Sequence, residues 1–279
     1  MRWMLGLVAV VAMTGGASAE SASVKRGSYL ANTIMTCANC HSPKGPPEAT
    51  NGKDYSGGLE FDEPPFKVTA PNITQDKETG LGKWSAAEIK NVLLTGIRPN
   101  GTPLAEIMPT NFYQILTPSD ANAIVAYLKT LKPISNKVPN PLYKMALPHH
   151  LFPGSEKPMP ASAMRNKIKR GFYLATIGHC MECHTPMTQK GRDFGNGLGS
   201  GGFEFKGPWG VSKSRNITSS KTKGIGEWSD AEIKRAITQG VSKDGSKLKP
   251  PMGYGYYAGM TNSDLDAIVA YLRTVPAKD

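Results

Sequence analysis

The sequence predicts a mainly α protein built from two tandem, homologous domains joined by a proline-rich linker. Three observations predict it. The 279-residue chain repeats itself at an offset of 144, which is a duplicated domain rather than a short solenoid period. Both copies carry Ser-x-x-Glu helix starts and a late apolar stripe at helical spacing. Between them, residues 133–163 hold seven prolines and little periodicity, which reads as an extended linker. The domains are therefore expected at 20–132 and 164–279, each self-contained enough to fold alone.

The N-terminus supplies the compartment. Arg2 precedes an apolar run of eleven residues, Trp3 to Met13, and then Thr14 to Ala19 with an Ala17-x-Ala19 ending. This fits a signal peptide over 1–19, cleaved before Glu20. The run is too short to span a bilayer, which takes roughly 20 residues. Export to the periplasm is expected, with a soluble or peripheral mature chain.

The elements then follow in pairs. Arg26-Gly-Ser-Tyr-Leu-Ala31 matches Arg170-Gly-Phe-Tyr-Leu-Ala175, and Asn72-Ile-Thr74 matches Asn216-Ile-Thr218. The second pair marks a loop motif in each copy. Ser85-Ala-Ala-Glu88 and Ser229-Asp-Ala-Glu232 are capping boxes, in which serine and glutamate satisfy orphan backbone donors. Thr117 and Thr261 open the last helices, with Pro118 where a missing N–H costs nothing. Ile124, Val125 and Leu128, beside Ile268, Val269 and Leu272, form the core-facing stripes. The stretches Ser42 to Pro71 and Thr185 to Arg215 are Gly/Pro-rich and read as loops with short strands. Around the cysteines the offset slips to 143 for want of one residue.

All four cysteines lie in two pentapeptides, Cys37-Ala-Asn-Cys40-His41 and Cys180-Met-Glu-Cys183-His184. C-x-x-C-H is the attachment motif of c-type haem: both thiols form thioethers to the vinyl groups, and the histidine faces the iron. A thioredoxin-like C-x-x-C needs no following histidine. A zinc ribbon wants its pairs roughly 15–20 residues apart, whereas 139 residues separate Cys40 from Cys180. Two covalently attached haems c are the expected cofactors, and no cysteine is left for a disulfide or a nucleophile.

Histidine alone leaves the far side of an iron open, and methionine is its usual soft partner. The repeat selects among twelve methionines. Met108 lies 71 residues after Cys37 and Met252 lies 72 after Cys180, aligned at offset 144. The bland reading makes them gap-filling core methionines. Met260 aligns with Leu116, Met35 and Met181 sit on the proximal side, and His149, His150 and His179 are weaker alternatives. Trp84 and Trp228 share a repeat position as propionate donors or aromatic lids.

The net charge of +11 is unevenly placed. Residues 20–132 hold eleven basic and eleven acidic side chains, and residues 164–279 hold 18 and 10. Arg165, Lys167, Lys169 and Arg170, with Lys243, Lys247 and Lys249, suggest a positive rim near the second haem for an acidic partner. Scattered lysines that merely keep the domain soluble are the plain alternative.

With haem motif, Asn-Ile-Thr loop, Gly-x-Gly-x-Trp-Ser and late methionine before an Ala-Tyr-Leu helix, each copy resembles a class I cytochrome c domain. The whole resembles cytochrome c subunits of bacterial periplasmic dehydrogenases for alcohols, aldehydes or gluconate. The resemblance implies axial pairs His41 with Met108 and His184 with Met252. Many such subunits carry a third haem domain and a C-terminal membrane segment, whereas this sequence ends at Asp279; that favours a soluble shuttle or small two-haem subunit. The expected function is electron transfer from a flavin, quinone or molybdenum dehydrogenase to a downstream cytochrome or oxidase. Nucleic acid is not an expected partner, and peripheral membrane contact is compatible. No catalytic residue is identifiable. The rival is a dihaem redox enzyme, peroxidase-like or thiosulfate-dehydrogenase-like, or a haem-based sensor; each needs an open iron, and the thiosulfate type a free cysteine.

Overall fold

The computed structural model describes residues 15–43, 54–145, 151–189, 191–207 and 209–279. Most of the signal-peptide segment, and His149 and His150, lie outside them. The chain is mainly helical, in two copies of one plan.

In the first copy, α1 (Gly15–Tyr29) runs into a π-helical turn (Leu30–Ile34) and then α2 (Cys37–Cys40). A short antiparallel pair follows, β1 (Glu60–Glu63) and β2 (Phe66–Thr69), then α3 (Ala86–Thr95) and α4 (Pro118–Leu128). Both expected helix starts form. Ser85 Oγ accepts from Glu88 N at 3.2 Å while the Glu88 carboxylate accepts from Ser85 N at 2.8 Å. Thr117 caps α4, with Pro118 in its first turn.

The segment after α4 is extended but not free. Its strand β3 (Leu142–Tyr143) pairs with β2, and Asn136 Nδ2 donates to the Ser56 carbonyl at 2.9 Å. Phe152 N and Met159 N donate to the carbonyls of Asn111 and Ile115. The side chain of Phe152 is fully buried, stacked on Phe112 with ring centroids 4.9 Å apart. Proline removes helical periodicity and its own N–H, while the non-proline residues between keep their donors, so the described residues of the expected extended linker bond back onto the first copy.

The second copy comprises α5 (Lys167–Ile177), α6 (Cys180–Cys183), the hairpins β4 (Met187–Thr188) with β5 (Gly191–Arg192) and β6 (Glu204–Gly207) with β7 (Gly210–Lys213), then α7 (Asp230–Gln239), α8 (Tyr254–Tyr257) and α9 (Asn262–Leu272). Ser229 and Glu232 form its capping box.

First and last helices cross closely in each copy. A Cβ on Gly27 would run into the Ala123 carbonyl of α4, and one on Gly171 into the Ala267 carbonyl of α9. Only glycine permits such an approach without overpacking, which typically costs about 1–3 kcal/mol.

The two copies share one core. Leu30, Ile34, Phe112 and Ile124 of the first and Tyr173, Leu174, Ile177 and Ile268 of the second belong to a single cluster of buried side chains. Phe152 joins them, meeting Phe194 edge-on at 5.1 Å. Apolar faces that each copy alone would present to water are thus buried against the other.

The contact is reciprocal. Tyr29 donates to Asp264 and Tyr173 to Asp120, each at 2.7 Å. Both donors and both acceptors are repeat equivalents, so the copies face each other about a pseudo-twofold axis. Each aspartate is also held by an arginine of its own copy, Arg26 at 2.9 Å from Asp120 and Arg170 at 3.6 Å from Asp264.

Candidate haem sites

Each C-x-x-C forms one helical turn entered through a left-handed residue, Thr36 (φ 48°) and His179 (φ 42°). The turn closes with His41 N donating to Cys37 O at 2.9 Å and His184 N to Cys180 O at 3.1 Å. Both sulfurs of a pair thus stand on one turn beside the histidine. The cysteines are half-buried; loss of water around the thiols pushes Cys37 and Cys40 up to about 12 and Cys180 up to about 11. These are neutral thiols, unlike the low-pKa thiolates of catalytic cysteines.

The histidines are aimed by backbone carbonyls. His41 Nδ1 lies 2.8 Å from Pro71 O, and His184 Nδ1 lies 2.6 Å from Arg215 O. A carbonyl only accepts, so Nδ1 carries the proton and Nε2 keeps its lone pair for a metal. Burial lowers both imidazole pKa values, with the carbonyl bond opposing, and so favours the neutral form that a ligand needs.

Sequence reasoning missed these two carbonyls, yet the repeated Asn-Ile-Thr motif is what positions them. Asn72 Oδ1 accepts from Thr74 N at 2.9 Å and Thr74 Oγ1 at 2.7 Å, and its Nδ2 donates to Ile134 O at 2.7 Å. Asn216 repeats the arrangement with Thr218 and the Lys278 carbonyl. This is an Asx turn immediately after Pro71 and Arg215.

Met108 lines the same cavity of about 210 Å³ as Cys40 and His41, with Phe61, Val68 and Leu104. A cysteine thiol, an imidazole and a methionine sulfur thus border one largely apolar space, a donor set that would fit haem c, Cys40 through a thioether and His41 and Met108 as candidate iron ligands. Met252 is half-buried against the core at its repeat-equivalent place. Trp84 and Trp228 pack half-buried on the same core. His179 sits 3.1 Å from the Glu182 carboxylate.

The attachment turns lie close together. A Cβ on Gly178, two residues before Cys180, would be 3.2 Å from Ile34 O, and one on Gly253, next to Met252, 3.5 Å from the Thr36 side chain. The turn that leads into the first motif thus touches both the second motif and the second methionine's loop.

Two tandem helical units, each with its own C-x-x-C-H turn and aimed histidine, define a dihaem c-type cytochrome. Residues 24–132 and 168–276 each match the Cytochrome c family, and the chain belongs to it, carrying two covalently bound haems c. It is 31% identical, over 94% of its length, to the fructose dehydrogenase cytochrome subunit of Gluconobacter japonicus, covering 54% of that protein. It is 32% identical, over 97%, to the cytochrome c subunit of the quinone alcohol dehydrogenase of Gluconacetobacter polyoxogenes, covering 59% of it. A diheme cytochrome c-type protein of Cereibacter sphaeroides is 28% identical over 86% of this chain and is itself covered to 82%. The chain thus spans a little over half the length of the dehydrogenase subunits.

Proposed function

We propose that the protein is a periplasmic electron carrier, exported through the signal peptide at 1–19, in which His41 with Met108 and His184 with Met252 hold the two irons. Its two cytochrome domains, 20–132 and 164–279, are connected through residues 133–163. The observation that carries this reading is the single cavity bordered by Cys40, His41 and Met108. Bound haem supplies one-electron iron chemistry at a potential raised by methionine sulfur. The chain's own residues do the rest. Pro71 and Arg215 carbonyls fix the imidazole planes, methionines close the far sides, and the apolar walls keep water away. The shared core holds the two sites at a constant separation.

The relatives named as cytochrome subunits of fructose and alcohol dehydrogenases support a dehydrogenase as donor, of flavin, quinone or molybdenum type in this proposal, which adds a downstream cytochrome or oxidase as acceptor. Among the described residues no helix is long and apolar enough to cross a membrane.

The test is spectroscopic. The oxidised protein should show the weak red absorption of sulfur-ligated ferric haem, and Met108→Ala or Met252→Ala should each remove about half of it. Ready carbon monoxide binding by one haem of the unmutated protein would overturn the carrier reading and favour a dihaem enzyme or sensor.

A further inference from the structure

The first copy departs from the repeat in two places, and the two departures touch. The residue that shifts the offset from 144 to 143 lies between Leu30 and Cys37, and the structure absorbs it in the π-helical turn Leu30–Ile34. An inserted residue in a helix appears as such a turn, often at functional sites. Asn32 lies within this turn, which the second copy lacks.

The second departure is Tyr55. Its backbone repeats that of Gly199: Tyr55 N and Gly199 N both donate at 3.3 Å, to Ser42 Oγ and Thr185 Oγ1, and their carbonyls accept from Ile73 N and Ile217 N. Both are left-handed, at φ 66° and 76°. Glycine takes that conformation freely, whereas a bulky side chain there is an outlier that the surroundings must hold. What holds it is Asn32, whose Oδ1 accepts from Tyr55 Oη at 2.5 Å. Asn32 Nδ2 donates in turn to Tyr127 Oη and Ser28 O, each at 2.9 Å, and reaches Ser28 Oγ at 3.1 Å. In the second copy Tyr271, the equivalent of Tyr127, instead meets Phe172 edge-on at 5.4 Å.

The clamp acts on an axial residue. Tyr55 is buried between the His41–Ser42 segment, to which it and Gly57 are bonded, and the Pro71–Ile73 segment, which its carbonyl holds through Ile73 N. The Pro71 carbonyl is the acceptor for His41 Nδ1. We propose that Asn32 and Tyr55 are positioning residues peculiar to the first haem, clamping the Pro71 carbonyl against His41 and so setting that haem's reduction potential below the value it would have without them. The direction follows from the bond: a firmly held carbonyl draws the Nδ1 proton, makes the imidazole a stronger donor, and stabilises ferric iron.

This rests on His41 as an axial ligand, which the unmutated protein's two-haem, methionine-ligated spectrum tests separately. Tyr55→Phe and Asn32→Ala would be compared by redox titration followed through the paramagnetically shifted haem methyl resonances of each copy. Both variants should raise the first haem's midpoint, alter its methyl shift pattern, and leave the second haem unmoved. The double variant should do little more than either single one, since both cut one path. Unmoved midpoints in both variants, equal shifts at both haems, or a lowered melting temperature alone would overturn the clamp while leaving the axial assignment standing.

Discussion

Tyr173 lies 53 residues from Asp120 in sequence and in the other copy of the repeat, yet its hydroxyl donates to that carboxylate at 2.7 Å while Arg26 grips the same group from the other side. The first copy's last helix is thereby tied at its start to the second copy's first helix.

Removing this tie should cost stability without disturbing either haem. Tyr173→Phe deletes a buried bond to a charged acceptor, worth about 1.5–3 kcal/mol. Denaturant unfolding should show the loss, with the spectrum unchanged. Tyr29→Phe, the more exposed equivalent, should lose less. A neutral Tyr173→Phe would mean that the packing beneath carries the contact.

The common core makes a second prediction. Residues 20–132 and 164–279, exported separately with haem-attachment machinery, should bind haem yet unfold without a sharp transition, because Leu30, Ile34, Leu174 and Ile177 lose their cover. Cooperative unfolding of both fragments, at midpoints near the intact protein's, would refute this.

Acid should loosen both copies in parallel. Backbone bonds from Ser85 and Ser229 hold the Glu88 and Glu232 carboxyls below their ordinary value of 4.5. A depressed carboxyl contributes stability that is complete above its unfolded pKa and is lost as pH falls through the folded one. Melting temperature should therefore be insensitive to these groups near neutrality and fall below roughly pH 4.5. Glu88→Gln and Glu232→Gln, which remove the titrating groups, should flatten that acid limb; an unchanged limb would assign it to other groups.

The basic rim can be read with a small anion. Lys247 and Lys249 are exposed on the loop before Met252, whereas Lys243 is drawn to the Glu227 carbonyl at 2.6 Å. Oxidation of the reduced protein by ferricyanide should slow with added salt, since screening acts over about 8 Å at physiological strength. Lys247→Glu with Lys249→Glu should slow it further at low salt. A rate indifferent to both would leave these lysines to solubility.

Much of this was legible because duplication supplies an internal comparison. Ser85 and Glu88 announce a helix start by themselves, and Met108 stands out among the methionines by aligning with Met252; it lines the same cavity as His41. The carbonyls of Pro71 and Arg215 were not legible, because a backbone oxygen has no residue identity to recur. The anchoring of residues 133–163 was not legible for a related reason: their prolines erase periodicity, while contacts through Asn136, Phe152 and Met159 leave no pattern. The Tyr29–Asp264 and Tyr173–Asp120 pairs recur openly, but a repeat cannot say whether equivalents bond within a copy or across it.

The reciprocal tyrosine–aspartate pairs have a consequence for working at low abundance. Two separate one-haem carriers joined through such a self-complementary face would come apart on dilution, and their exchange of electrons would depend on how much of each was present. Here residues 133–163 make the encounter intramolecular, at an effective concentration that the solution cannot change. Transfer between the two irons should therefore be first order and the same in one molecule as in a millimolar solution.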